Sequence, residues 1–321
     1  MSLLPVFNIG NFFQGTESEK INLGREIDSI CKNTGFIALQ NHGVPKQIID
    51  NVWNDTQNFF YLPNKEKNKT KPPFEGYPYG YIGLGKEALA ASKGVVTPTD
   101  LKESFNGGPL IKPKDLTNLD ALSFCYADTI WPDKPDSFRT SWEAYYNEME
   151  KLAARVMVVF TYALGIESDF FAKYIDNPIS ALRALNYPEQ KIGAEENQLR
   201  AGAHSDYGSL TILLPQEGST GLEILSPTNV WESVPTAPNT FIINIGDLMA
   251  MWTNDRWVST LHRVVNSGSK TKRQSLAYFH QPNWSAEITC LSSCLGEDEE
   301  AKYPTTLSGP YLMEKFKSTN R

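Results

Sequence analysis

The sequence predicts an α+β protein with a mostly β core, in which a helical N-terminal region packs against an antiparallel sandwich or barrel. Three observations carry this expectation. Apolar residues recur at helical spacing in the first half, as in Ile49, Val52, Trp53, Thr56 and Phe60. After residue 178 short apolar runs alternate with Gly, Pro, Asn and Ser at close intervals, the pattern of a sandwich or barrel. The 321 residues contain no internal repeat and no long low-complexity segment, so they suit one large domain or two small ones.

Taken in order, Pro5-Val6-Phe7-Asn8-Ile9 reads as a short strand. Ile21 to Thr34 carries Ile27, Ile30 and Cys31 on a helical stripe. Gly35 to Gln40 is a strand closed by Asn41-His42-Gly43, and Pro45 to Tyr61 is again helical. Residues 72–85 are rich in Gly, Pro and Tyr and too broken for a regular element, which marks a binding loop. The longest helical pattern runs from Thr140 to Ile166, with Trp142, Tyr145, Met149, Leu152 and Val156 in its stripe. Strands are then expected at Ala181–Tyr187, Leu199–His204, Leu210–Leu214, Leu222–Leu225, Val230–Val234, Thr240–Asn244, Val258–Val265 and Ser275–His280. This divides the chain into an N-terminal region (1–115), a connecting segment with the long helix (116–177), a β core (178–283) and a C-terminal segment (284–321).

Composition excludes several classes. A formal charge of −7 gives no basic face for nucleic acid. No apolar run approaches the roughly 20 residues that span a bilayer. The start, Met1-Ser2-Leu3-Leu4-Pro5-Val6-Phe7, lacks the basic and apolar parts of a secretory signal, so a cytoplasmic location is expected. Cys31, Cys125, Cys290 and Cys294 are too few for a disulfide framework. Cys290 and Cys294 have no second pair to complete a zinc site and read as free thiols.

Of the four histidines (His42, His204, His262 and His280), two make the sharpest pattern. In His204-Ser205-Asp206 an imidazole and a carboxylate stand two positions apart, on the same side of an extended segment. His262 lies on a separate expected strand. Two imidazoles and one carboxylate on one face of a metal leave positions open for a cosubstrate and dioxygen, the arrangement of non-haem iron(II) oxygenases. Singly, His-x-Asp more often marks a surface turn, and a strand histidine is more often a satisfied core residue. In Arg273-Gln274-Ser275 a guanidinium and a hydroxyl share a strand face and could grip a carboxylate; the bland reading is a solvated arginine in a turn made basic by Lys270 and Lys272.

The order of further motifs strengthens the first reading. Gly35-Phe36-Ile37, Asn41-His42-Gly43-Val44, Phe59-Phe60-Tyr61-Leu62-Pro63, Asp100-Leu101-Lys102-Glu103-Ser104-Phe105, Arg183 with Asn186-Tyr187-Pro188, His204-Ser205-Asp206-Tyr207-Gly208, Asn244-Ile245-Gly246-Asp247, and Leu261-His262-Arg263-Val264 precede Arg273-Gln274-Ser275 and Tyr278-Phe279. From about Pro5 to Gly309 the chain resembles the isopenicillin N synthase-like and plant-type iron(II)- and 2-oxoglutarate-dependent dioxygenases. The resemblance implies a double-stranded β-helix (jelly roll) with iron(II) held by His204, Asp206 and His262. It implies that Arg273 and Ser275 bind the distal carboxylate of 2-oxoglutarate with Tyr187 nearby, and that His42 is a packing residue. Where plant members carry Asn-Tyr-Tyr-Pro, this chain has Leu185-Asn186-Tyr187-Pro188, which leaves Asn186 without an inherited role.

The implied reaction consumes dioxygen and 2-oxoglutarate, releases succinate and carbon dioxide, and oxidises a C–H bond of a small molecule, with ascorbate as a reductant. Hydroxylation is the default; desaturation or ring closure of an amino-acid-derived specialised metabolite is a variant. Arg200 and Phe279 are the candidate substrate contacts. If the segment is extended, Arg200, Gly202, His204 and Asp206 share one side, Gly202 leaves room for an approaching group, and Arg200 meets a substrate carboxylate or carbonyl. A nucleobase-hydroxylating branch of the family has a similar Arg-Ala-Gly-x-His-x-Asp-Tyr-Gly run. The other reading pairs Arg200 with Glu195 or Glu196 outside the barrel. Residues 72–85, with Tyr77, Tyr79 and Tyr81, and the segment Tyr311 to Phe316 are candidates to cover the site. A 2-oxoglutarate-independent oxidase of the isopenicillin N synthase type and a non-catalytic jelly-roll binding module are the alternatives. Oligomeric state is not legible.

Overall fold

The fold is given by a computed structural model, in which residues 4–90, 94, 98–189, 198–266 and 272–319 are described. The strands are β1 (Val6–Asn8), β2 (Phe36–Gln40), β3 (Gly80–Ile82), β4 (Glu103–Gly107), β5 (Ala181–Tyr187), β6 (Ala201–His204), β7 (Leu210–Pro215), β8 (Leu222–Leu225), β9 (Trp231–Ser233), β10 (Phe241–Ile245), β11 (His262–Val264) and β12 (Arg273–His280). Among the described residues they form a major sheet ordered β1-β2-β10-β7-β12-β5-β4-β3 and a minor sheet ordered β6-β11-β8-β9. Two facing, mainly antiparallel sheets with helices outside are the expected jelly roll.

The helices Glu17–Asn33, Lys46–Tyr61 and Phe138–Leu164 lie close to the expected spans. Two of them have a clear local cause at one end. Thr16 and Glu19 form a reciprocal capping box at the start of the first. Gly165, in the left-handed conformation, ends the third. The long helix buries Trp142, Tyr145, Met149, Leu152, Val156 and Phe160 in the main core, against the back of the major sheet.

The N-terminal region, with its expected strands at 5–9 and 35–40, supplies both edges of the major sheet through β1 to β4. Two expectations need correction. The 72–85 loop contains β3, which pairs with β4 through Tyr81 opposite Phe105. Sheet pairing overrides the weak strand character of this Gly- and Tyr-rich run. The expected strand 258–265 shrinks to His262–Val264. Before it, Val258 donates its amide to the Cys31 carbonyl, so this stretch is tied to the N-terminal helix rather than to a strand.

One close approach fixes the mouth of the barrel. A Cβ at Gly246 would lie 2.2 Å from the Gly208 carbonyl oxygen, and one at Gly208 would lie 2.4 Å from the His280 carbonyl oxygen. The backbone at Gly246 is not left-handed (φ −102°), so space alone demands glycine there. The next residue, Asp247, donates its amide to the Asp206 carbonyl at 2.8 Å. Gly246→Ala is therefore expected to separate the two segments, costing about 1–3 kcal/mol and lowering Tm by roughly 1–5 °C in a chain of this length. Thermal unfolding checks this; an unchanged Tm would mean that the contact is not a packing constraint.

Candidate metal centre and cosubstrate pocket

The minor sheet brings the two distant histidines together. His204 ends β6 and His262 begins β11, and the two are direct cross-strand partners with ring centroids 4.3 Å apart. Asp206 lies just past the end of β6. Its Oδ2 accepts hydrogen bonds from Thr211 Oγ1 on β7 (2.5 Å) and Asn244 Nδ2 on β10 (2.7 Å). The carboxylate thus hangs from the minor sheet and is anchored to the major one.

These bonds leave the other Asp206 oxygen, Oδ1, facing the imidazoles, 3.8 Å from His204 Nε2 and 3.7 Å from His262 Nε2. His204 Nδ1 donates to the Gly202 carbonyl at 2.7 Å and His262 Nδ1 to the Thr260 carbonyl at 3.2 Å. A carbonyl can only accept, so the proton sits on Nδ1 and each Nε2 offers a bare lone pair. Burial, helped by the neighbouring His262, pushes His204 down to about 3 and keeps its imidazole neutral. Burial opposes the Asp206 charge, while the bonds donated by Asn244 and Thr211 favour it, and the carboxyl lies below its usual range. The three donor atoms lie within 4.8 Å of one another, the only such His/Cys/Asp/Glu group among the described residues. Asp206 Oδ1 needs to close on each Nε2 by less than about 1 Å to reach the ~3 Å that separates neighbouring ligands on one ion at the usual ~2.1 Å bond length. The donor set therefore fits a two-histidine, one-carboxylate metal centre.

A cavity of about 230 Å³ opens beside the triad, walled mainly by apolar side chains. Along β12 the side chains of Arg273, Ser275, Ala277 and Phe279 all face it, and along β5 Tyr187, Leu185, Arg183 and Ala181 do the same. Arg273 is buried to 2 % exposure, lies 4.9 Å from the Tyr187 ring centroid, and sits 3.4 Å from Ser275 Oγ. No carboxylate pairs with it among the described residues, and its Nε has no hydrogen-bond partner. A buried guanidinium in that state calls for an anion from outside the chain. Tyr79 and Ile82 from the 72–85 loop, and Leu312 and Phe316 from the helix Ser308–Thr319, complete the wall.

The other residues singled out in the sequence divide. His42 is a packing residue: it is buried edge-to-face against Phe241, and its Nδ1 accepts from the Val44 amide. Asn186 donates to Glu103, on the far side of the sheet from the cavity-facing residues. All four cysteines are free. Arg200 is corrected in position. Ala201 pairs with Val264 while His204 pairs with His262, which puts one extra residue in β6. This irregularity breaks the alternation, so Ala201, not Arg200, lines the cavity, while Arg200 is buried near Arg273 and Tyr187. The room at Gly202 is filled by Ala90 of this chain, 2.9 Å from where a Cβ would stand. Glu195, Glu196 and Lys270 lie outside the described residues. Thr211 and Asn244 are site residues that the sequence left without a role. Asn244 stands in the Asn244-Ile245-Gly246-Asp247 motif, which gave a signal, whereas Thr211 stands in none.

Comparison with known proteins agrees with this geometry. Residues 176–282 match the model of the 2OG-Fe(II) oxygenase superfamily, and residues 4–134 match that of the non-haem dioxygenase in morphine synthesis N-terminal region. The chain is 30% identical to a validamycin A dioxygenase of Streptomyces hygroscopicus subsp. limoneus, over 97% of this chain and 85% of that protein. It is 30% identical to a homoarginine-6-hydroxylase of Oryza sativa subsp. japonica, over 93% and 90%. The solved structure of a full-length Neurospora crassa protein in complex with alpha-KG and thymine superposes with a TM-score of 0.85 at 28% identity, covering 98% of this chain and 97% of that one.

Proposed function

The chain belongs to the 2OG-Fe(II) oxygenase superfamily, and from that membership we propose a role for each residue of its site. His204, Asp206 and His262 hold iron(II); Arg273 and Ser275 bind the distal carboxylate of 2-oxoglutarate; Tyr187 packs beside it; and the small-molecule substrate lies further along the cavity, near Phe279. One observation carries this: three donor atoms converge while the atoms behind them are already committed to other partners. Iron bound there would supply dioxygen activation coupled to decarboxylation of 2-oxoglutarate, giving succinate, carbon dioxide and an oxidised C–H bond of the substrate.

The protein's own part is positional and electrostatic. The carbonyls of Gly202 and Thr260 fix the imidazole tautomers. Thr211 and Asn244 fix the carboxylate. The unpaired Arg273 supports a dicarboxylate cosubstrate over the 2-oxoglutarate-independent alternative, and the relatives named as dioxygenases and hydroxylases speak against a silent binding module. No described helix is long and apolar enough to cross a membrane, and four free cysteines support a reducing, cytoplasmic setting. A substrate carboxylate bound by Arg200 has less support, since Arg200 does not line the cavity.

The test is to add iron(II), ascorbate and 2-oxoglutarate to anaerobically purified protein, admit oxygen and measure succinate, alone and with small acids, amino-acid derivatives and nucleobases. Succinate that forms only with iron, and rises with one class of compound, is the expected result. Iron-loaded, folded protein that forms none under any condition would sink the reading.

A further inference from the structure

Half-way along the cavity the apolar lining is interrupted by charge. Glu87, Asn106 and Arg183 all line it. On the sheet, Arg183 stands directly opposite Asn106 of β4 on one side and Ala277 of β12 on the other, so these residues form one row across three strands. Counting along β12, Ala277 lies four residues past Arg273, roughly 13 Å at ~3.3 Å per residue. The row therefore sits beyond the reach of a cosubstrate anchored at Arg273, and Ala277 leaves space in front of it.

The charges in this row are compensated within the chain. Glu87 pairs with Arg183. Lys102, fully buried, lies 2.5 Å from Asp100 and 3.5 Å from Glu87. Asp100 also accepts the amides of Leu89 and Gly202. Two cations thus face two anions. Burial would push Glu87 up, but Arg183 and Lys102 outweigh it and hold it at about 2, so the balance persists at neutral pH. Hydrogen bonding is less complete. Arg183 commits Nη2 to Glu87 and to Ser104 Oγ, but its Nε has no acceptor, and Asn106 Oδ1, on a residue 9 % exposed, has no donor. Buried groups of this kind are normally satisfied.

Resting on the reading of the cavity as the substrate site, we infer that the Glu87–Arg183–Asn106 row is the substrate's polar anchor and selects a group that carries no net charge but offers an acceptor beside a donor, as a carboxamide or lactam does. The acceptor answers Arg183 and the donor answers Asn106 or Glu87. A substrate carboxylate would bring an uncompensated negative charge beside a quartet that is already neutral, in a wall made mainly of apolar side chains, and would be penalised.

The test uses three near-isosteric probes, phenylacetamide, phenylacetate and phenethylammonium, titrated by calorimetry into protein loaded with 2-oxoglutarate and redox-inert zinc(II). Binding of 2-oxoglutarate is measured first; its failure would strike the cosubstrate assignment, not the anchor. With it intact, phenylacetamide is expected to bind roughly tenfold or more tighter than either ion. Arg183→Met should remove that preference. Glu87→Gln leaves Arg183 without its carboxylate and should turn the preference toward phenylacetate, while Lys102 keeps Asp100 and the fold. Thermal unfolding verifies that each variant is folded, and Glu87→Gln decides alone if Arg183→Met is not. Equal, inverted or absent probe binding by the wild type, or an unchanged order in Glu87→Gln, overturns the proposal.

Discussion

Asp206→Asn is expected to abolish iron-dependent succinate formation while leaving the fold intact. The reasoning turns on the two oxygens of one carboxylate. Oδ2 is occupied by Thr211 and Asn244, both donors. An asparagine can satisfy them only with its carbonyl oxygen, and its NH2 group then stands where Oδ1 faced the imidazoles. That group has no lone pair to give and points two protons at the site. If the amide turns round, Thr211 and Asn244 lose their acceptor instead, at about 1–3 kcal/mol. Metal affinity should therefore fall by more than the roughly 10–100-fold typical of losing an outer hydrogen-bond partner. The measurement is iron(II) or zinc(II) titration beside thermal unfolding. Metal affinity like that of wild type would remove Asp206 from the ligand set.

The candidate metal triad was legible in the sequence because it rests on short spacing and on few histidines. His204-Ser205-Asp206 is one local run, and only His262 had to be brought from afar. The strands from Ala181 to His280 were legible for a similar reason, since punctuated apolar runs change little on folding. What could not be read depends on cross-strand events. The extra residue in β6 moves Arg200 off the cavity face, and no propensity signals it. The N-terminal strands β3 and β4 carry Gly, Ser and Asn, and become strands only because β5 offers an edge. Likewise Glu87, Asn106 and Arg183 come from three separate segments, and only the register β4-β5-β12 sets Asn106, Arg183 and Ala277 in a row. The sheet thus serves as a ruler, with the proposed cosubstrate groups at one end of β12 and the proposed substrate groups further along it. Changes in substrate specificity can then arise at Arg183 or Ala277 without disturbing Arg273.

That separation gives the second large effect. Arg273→Leu should weaken 2-oxoglutarate binding by on the order of 10²–10³-fold, since truncating one partner of a desolvated charge pair costs roughly 2–5 kcal/mol. The unliganded protein should respond in the opposite sense. Without cosubstrate, Arg273 is a buried cation with no acidic partner among the described residues and an unsatisfied Nε. Replacing it with an apolar side chain removes that desolvation cost, so the Tm of the variant without ligand should equal or exceed that of wild type. Adding 2-oxoglutarate to protein already loaded with zinc(II) should raise the wild-type Tm further, as any ligand that binds only the native state does, and leave that of the zinc-loaded variant unmoved. Arg273→Lys should recover part of the affinity, because it restores the charge but not the planar fork. A dicarboxylate held elsewhere in the cavity would give a different pattern: a ligand-induced rise in Tm that survives in Arg273→Leu. That single result would reverse the orientation of the cavity, and with it the assignment of the Arg183 end to substrate.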